Sequence, residues 1–542
     1  MASSSYIEKT PSREIQERAI PANSAYELDA RRRAELAKVD KANFSWFHAK
    51  VCIVAGVGFF TDSYDIFVIN IASTMLGYVY GKPNDGSSLP MLSMRSNLGL
   101  KIATPVGTLM GQLLFGWLAD RLGRKKMYGV ELMIMIVATV GQAICGEALA
   151  INIIGVLINM RELGFGVGGD YPLSAMISSE FASTKVRGRM MTTTFAFQGW
   201  GNFSAALVGF IITATYKSAI LESSLSHLTA VDSMWRLLIG LGAVPGVFAL
   251  YFRLTIPETP RFTMDIARNI DQATNDIQTV INGKKNQVEE YVFIQRIEIP
   301  KATWRDFREH FGKPENLKIL FGTAYSWFAL DIAVYGFGLN STTIFKDIGF
   351  DTDTRSSVEA VYENLYGVCM GNLILSAAGL IPGFVVCFLL IDKWGRKPIQ
   401  LVGFTMLAIL FLIMGFGYDQ LTATPSGIKT FVFLYCLANF FQNFGPNTTT
   451  FIIPGGVFPT RYRSTAHGIS AASGKLGAII AQILFNSLEF KTFLKITAFF
   501  ILTGIGSTLL LPETMDKTLE ELSNENQEGF VRGFINPMVL QS

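Results

Sequence analysis

Asp62 and Asp65 stand in Phe60-Thr61-Asp62-Ser63-Tyr64-Asp65, in the middle of an apolar run, and a three-residue spacing puts both carboxylates on one face of a helix. An ionised carboxylate at the centre of a bilayer costs roughly 2.5–3.5 kcal/mol even on the lenient insertion scale, so this pair points to proton handling ahead of a kink or a static salt bridge. Other charges interrupt other apolar runs: Glu131, Arg161 with Glu162, Asp170, Asp331 and Lys475. A carboxylate that alternates between a cationic neighbour and a proton is a coupling device, and Glu131, Arg161, Glu162 and Asp170 are plausible counter-charges for the Asp62–Asp65 pair. Trp327, Asp331 and Tyr335 are spaced four apart and line one helical stripe. Ordinary packing accounts for the two aromatics but not for the acid between them. No nucleophile–base set or metal-ligand cluster appears, and His48, His227, His310 and His467 are dispersed, so an enzyme is not indicated and neither cofactor nor metal is expected.

Membrane helices must hold these charges in place. Half of the 542 residues are hydrophobic and only 16% are charged, with a mean hydropathy of +0.34; lipid must cover much of that surface. A net charge of +3 spread in clusters between apolar stretches implies the lipid bilayer as partner and no nucleic acid. The cysteines, Cys52, Cys145, Cys369, Cys387 and Cys436, are odd in number and scattered, and read as free buried thiols. Apolar runs of about 20 residues, the length that crosses a bilayer, lie near 51–75, 97–119, 127–147, 150–174, 190–214 and 235–255, and again near 318–342, 367–391, 398–417, 428–453, 465–487 and 492–511. The pattern predicts an all-α polytopic membrane protein of twelve helices: a tail over 1–49, a six-helix bundle over 50–256, a polar connector over 257–317, a second six-helix bundle over 318–512 and a tail over 513–542. Arg31, Arg32, Arg33 and alternate loops are cation-rich, whereas the intervening loops carry few cations, among them Lys217, Lys346, Arg355 and Lys429. The positive-inside rule then puts both tails and the connector in the cytoplasm. With no cleavable signal in the polar N-terminus, the first helix serves as the targeting signal.

The two halves repeat each other. Asp120-Arg121-Leu122-Gly123-Arg124-Lys125 corresponds to Asp392-Lys393-Trp394-Gly395-Arg396-Lys397, Phe181 through Arg189 to Phe458 through Arg463, and Pro257-Glu258-Thr259-Pro260-Arg261 to Pro512-Glu513-Thr514. One such pair would be weak evidence; three in register mark a transporter built from structural repeats. From about residue 48 to 520 the chain resembles the major facilitator superfamily, which implies two bundles rocking about a central site with the loop motifs latching one face. Gly164-Phe165-Gly166-Val167-Gly168-Gly169 matches a dinucleotide fingerprint in form only, since no strand precedes it. These glycines, with Pro172, suit close helix packing and an adaptable backbone near a ligand. Gly168-Gly169-Asp170-Tyr171-Pro172-Leu173-Ser174 is similar to the signature of the fungal and plant phosphate:proton symporters of that superfamily, and Phe197-Gln198-Gly199-Trp200-Gly201 and Asn443-Phe444-Gly445-Pro446-Asn447 agree with it.

The resemblance implies a plasma-membrane symporter of inorganic phosphate and protons. Tyr171, Gln198, Trp327, Asp331, Tyr335 and Asn447 would surround the phosphate, and Asp62, Asp65, Glu131, Arg161, Asp170, Asp331 and Lys475 would handle the proton. Asp331 beside a phosphate would repel it until protonated, so the two cargoes should bind together; Lys475 would pair with Asp331 in the empty carrier or attract the anion. The chain departs from the family at one point: the family arginine stands ten residues before the signature aspartate, whereas Arg161 precedes Asp170 by nine and Met160 holds the matching place. One residue is about 100° of helix rotation, which bears directly on whether Arg161 faces Glu131. A glycerophosphodiester carrier and a phosphate sensor are the rival readings.

Overall fold

The computed structural model of the chain describes residues 22–83, 89–145, 149–223, 228–266, 302–348 and 358–523, together with Thr274 and Ile277. His227, Arg355, most of the expected connector and the outer parts of both tails lie outside the described residues, as does the side chain of Arg31. Nine helical segments among them are long and apolar enough to cross a membrane: α1 (Trp46–Tyr80), α2 (Met94–Leu122), α5 (Arg187–Thr215), α6 (Thr229–Thr255), α7 (Pro314–Gly338), α8 (Val358–Trp394), α9 (Arg396–Phe416), α11 (Arg463–Ser487) and α12 (Phe490–Leu509). Three more, α3 (Arg124–Ala143), α4 (Leu149–Phe181) and α10 (Pro425–Phe444), are 20, 33 and 20 residues long. Twenty helical residues reach about 30 Å, the depth of a bilayer's hydrocarbon. The one strand pair among the described residues is a two-residue ribbon, Lys82–Pro83 against Pro90–Met91. None of the five cysteines is paired, and Cys145 is half-buried where a buried thiol was expected.

Local sequence sets the helix ends. Pro314 and Pro425 open α7 and α10 at a first-turn position that has no use for an N–H. Gly123 and Gly395 take φ of 104° and 93°, a region closed to most side chains, and each ends one helix and starts the next within a single residue. α4 runs unbroken through Pro172, whereas α10 stops at Gly445-Pro446 and resumes as Pro446–Ile452. The Asn443 carbonyl near that break accepts a 2.6 Å bond from the Thr448 hydroxyl, which keeps it satisfied inside the membrane.

Packing repeats with helix number advanced by six. In the first half α2 packs on α4, α3 on α4, α1 on α5 and α6, and α3 on α6; in the second half α8 packs on α10, α9 on α10, α7 on α11 and α12, and α9 on α12. The contacts between halves obey the same rule, α2 with α11 and α5 with α8. Small residues allow the close approaches. A Cβ on Gly468 of α11 would lie 2.3 Å from the Gln112 carbonyl oxygen of α2, and one on Gly168 of α4 would lie 2.3 Å from the Thr108 oxygen. The glycine run of α4 thus serves two faces, Gly164 and Gly168 toward α2 and Gly166 and Gly169 toward Glu131 and Met135 of α3. Because the obstacle at Gly168 is backbone, it cannot rotate away. Gly168→Ala should therefore destabilise the protein by about 1–3 kcal/mol, read as a lowered thermal unfolding midpoint in detergent. Gly506→Ala, where nothing lies within 4 Å, should not lower it.

Candidate functional site

The three motif pairs interlock on one face of the bundle. Asp120, at the end of α2, accepts from the Ser464 and Thr465 backbone N–H groups at 3.2 and 2.8 Å, capping α11 of the other half. Asp392, at the end of α8, accepts from the Arg189 N–H at 2.9 Å and caps α5 in return. Glu258 accepts from Lys125 N–H at 3.2 Å, and Glu513 from Arg396 and Lys397 N–H at 3.1 and 3.0 Å, so each carboxylate sits on the N-terminus of α3 or α9. Helix N-termini carry partial positive charge and free donors, which is why acids recur at all four places. Arginines add a second layer. Arg463 reaches Glu180 at 3.0 Å, and Arg261 reaches Asp40 at 3.0 Å and Glu520 at 2.8 Å. Burial alone would push the Glu520 carboxyl up, but Arg261 outweighs it and holds Glu520 below the ordinary carboxylate range. A depressed folded-state value contributes stability above the unfolded pKa, near 4.3 for glutamate, and that contribution fades as pH falls through the folded one.

Between this face and the opposite one lies a closed central site. Asp331 of α7 and Lys475 of α11, each 2% exposed, form an ion pair with Nζ 2.7 Å from Oδ2. The ammonium stands 4.4 Å from the Tyr335 ring centroid and 5.0 Å from that of Tyr171, so the cation sits against aromatic faces contributed by both halves. Gln198 donates to the Tyr171 hydroxyl at 3.1 Å, and Asn447 donates to Asn443 Oδ1 at 2.7 Å and lies 3.4 Å from Gln198 Oε1. Trp327 packs 6.2 Å from Tyr171. All six residues assigned to the substrate by sequence are buried and meet at this place, with Lys475 among them. Gly474 makes the closeness possible, since a Cβ there would lie 2.6 Å from Trp327 and 2.8 Å from Asp331 Oδ2. Toward the motif face, Phe59, Phe195 and Phe451 close the site, with Phe195 and Phe451 stacked at 4.6 Å. Toward the other face Phe67 stacks on Tyr335 at 6.2 Å, and Asn70 bonds Ser341 and Thr342 across the halves.

A second polar cluster lies within the first half. Arg253 of α6 is paired with Glu131 and lies 2.7 Å from Asp170 Oδ2, with its guanidinium carbon 3.9 Å from the Tyr128 ring centroid. Ser174 donates to the other Asp170 oxygen at 2.5 Å. Asp65 accepts from Thr139 at 2.9 Å. Asp62, fully buried, has no hydrogen-bond partner on either oxygen among the described residues. It is within electrostatic reach of Asp170, Arg253 and Glu131 on one side and of Tyr171 and Tyr335 on the other, so it stands between the two clusters.

Arg161 does not take the place expected of it. Its side chain is exposed on the flank of the bundle together with Glu162, where both line a 590 Å³ groove with Met110, Val130, Met133 and Val137. Met160 is 1% exposed. The one-residue offset turns the arginine outward, and the cation opposite Glu131 and Asp170 is Arg253, which the sequence reading did not single out. Lys101 and the phenylalanine layer were also missed, and Asn443 was quoted within its motif without a role in the site. The signal for Lys101 was available, namely a charge within an apolar run.

Two repeated bundles closed on both faces around a buried ion pair and a ring of neutral donors are the architecture of a membrane transporter. The sugar (and other) transporter family matches residues 51–525. The chain is 48% identical to the repressible high-affinity phosphate permease of Neurospora crassa, over 91% of this chain and 90% of that protein. It is 46% identical to the inorganic phosphate transporter PHO84 of Saccharomyces cerevisiae, over 91% and 87%. The fold is similar to that of the major facilitator superfamily proton:xylose symporter XylE, with a TM-score of 0.69 at 20% identity over 89% of this chain and 99% of that one. The chain belongs to the sugar (and other) transporter family of the major facilitator superfamily. Removing the cation from the buried cluster should cost far more than removing the exposed one: Arg253→Met strands two carboxylates, for about 3–5 kcal/mol, whereas Arg161→Met should stay within about 0.5 kcal/mol. Thermal unfolding of the two purified variants measures the difference, and equal losses would mean that Arg161 has a buried partner.

Proposed function

We propose that the protein imports inorganic phosphate together with protons across the plasma membrane by alternating access, with its termini and the interlocked motif face in the cytoplasm. The Asp331–Lys475 pair, enclosed by Tyr171, Gln198, Trp327, Tyr335 and Asn447, is the observation that carries this reading. Five neutral side chains and one cation suit a small tetrahedral anion, which needs donors on several sides and one charge partner. The similarity to two fungal phosphate carriers over nine-tenths of the chain supports the choice of anion, and the cation-rich alternate loops support the orientation.

The coupling follows from the pair. While Asp331 is ionised it occupies the ammonium and repels an incoming phosphate; a proton on Asp331 ends both effects and makes the carboxyl a donor. Asp62, without a donor among the described residues and between the two clusters, would take the proton from or pass it to that site. Asp170 and Glu131, on Arg253, and Asp65, on Thr139, would set the field it feels. Moving one negative charge inward against 100 mV costs about 2.3 kcal/mol; one proton carried with each monovalent phosphate cancels that cost, and a second would let the voltage drive uptake.

The direct test is uptake of labelled phosphate into proteoliposomes under an imposed pH gradient. Asp331→Asn should take gradient-driven accumulation down to background, while the Asp331→Asn/Lys475→Met double variant, with neither charge left unpaired, should fold but not transport. Full proton-driven accumulation by Asp331→Asn would refute the linkage.

A further inference from the structure

Ten lysine and arginine side chains are buried among the described residues: Arg32, Lys101, Arg124, Arg187, Arg253, Arg261, Arg396, Arg461, Arg463 and Lys475. Nine of them have a carboxylate within salt-bridge distance. Lys101 is the exception. It is 3% exposed on α2, seven residues beyond Met94, and its ammonium makes one hydrogen bond, 2.8 Å to Asn340 Oδ1 of the other half. No acid among the described residues faces it.

Its surroundings are neutral and polar. Asn340 donates to Gln482 Oε1 at 3.0 Å, and Gln482 donates to the Tyr335 carbonyl at 2.7 Å, which ties this seam to the helix that carries Asp331. Asn340 follows Asp331 by nine residues, about 13 Å along a helix at 1.5 Å per residue. The seam is the contact between halves on the face away from the interlocked motifs, continuous with the Asn70–Ser341 bond. A desolvated ammonium without a counter-charge costs several kcal/mol, and a purely structural latch could be built from amides, as its neighbours are. When the halves part on this face, Asn340 leaves and the ammonium is left facing the opened cleft above the central site.

We infer that Lys101, with the amides of Asn340 and Gln482, forms an outer anion subsite that takes up phosphate as this face opens and before the anion reaches Lys475. The inference rests on the proposed function and names a second contact for the same substrate. The subsite gives the anion its first fixed positive charge on the way in, and the Asn340 oxygen reclaims the ammonium once the anion has moved inward and the seam closes.

Initial rates of labelled phosphate uptake into proteoliposomes, measured across phosphate concentrations at low and high ionic strength, test this. The KM of the unaltered protein should rise with salt; Lys101→Met should raise KM about tenfold, leave the maximal rate within about twofold, and abolish that salt dependence. Lys101→Arg, which keeps the charge, should stay within about twofold of the unaltered KM. Ser341→Ala loosens the same seam without touching a charge and should leave KM and its salt dependence unchanged. A normal KM in Lys101→Met, or an equal rise in Ser341→Ala, would overturn the subsite while leaving phosphate transport in place. Absence of phosphate uptake by the unaltered protein would instead sink the functional reading, and the subsite with it.

Discussion

A charge held in hydrocarbon must be compensated within a few ångströms, and that requirement arranges most of this interior. Arg253 is shared by Glu131 and Asp170, Lys475 neutralises Asp331, and Glu180 receives Arg463. At Asp120 and Asp392 a helix N-terminus adds to the cation, which is Arg124 for the first and Arg396 for the second. Three groups escape the rule among the described residues: Asp62, which has no hydrogen-bond partner, Asp65, which has only the Thr139 hydroxyl, and Lys101, which has only an amide. In an otherwise compensated core, such exceptions are where a mobile charge can be received. Two are acids suited to a proton and the third is a cation suited to an anion.

The repeat turns one good interface into two. Asp120 caps α11 from α2, and Asp392 caps α5 from α8, so each half holds the other by the same bond, and the close contacts at Gly116–Ser464 and Gly188–Asp392 follow the same correspondence. A carboxylate on backbone N–H groups is directional and lies at a face that water can reach. It can therefore be broken and remade at small net cost, because water replaces the lost bonds. The interior seams between halves are neutral where they meet the centre, Phe59 on Phe451 and Phe67 against Tyr335. Such surfaces separate without stranding charge, which suits a pair of rigid bodies that must part alternately on either side.

Sequence made the loop motifs plain because each is a local string whose partner is its own copy half a chain away. It also marked the stripe Trp327, Asp331, Tyr335, since spacing on a single helix fixes a shared face. What it could not supply was the rotation of α4 against α3 and α6. The same apolar run accommodates an arginine at 160 or 161, but only the packed structure shows that 160 points inward and 161 outward. Arg253 escaped for the converse reason: near the end of an apolar run a cation reads as an anchor at the interface, and its two acids come from different helices far away in sequence. The break in α10 was hidden similarly, because Pro172 and Pro446 look alike as letters and differ in whether the preceding turn is held by packing glycines or released by Gly445.

Charge accounting links these observations to a working cycle under the proposed function. Empty, the site holds one ammonium and one carboxylate and is neutral overall. With phosphate bound as a monoanion and a proton on Asp331, the ammonium and the anion again sum to zero. A proton without phosphate leaves Lys475 unopposed, and phosphate without a proton leaves an excess negative charge beside an ionised carboxylate. Closing both gates around either of those half-loaded states would desolvate a net charge, which costs several kcal/mol. The two neutral states can therefore occlude and cross while the two charged ones are held back at whichever face is open to water. Coupling on this view needs no relay of strain between distant sites: it follows from requiring that the enclosed cavity be electrically neutral when both faces are shut.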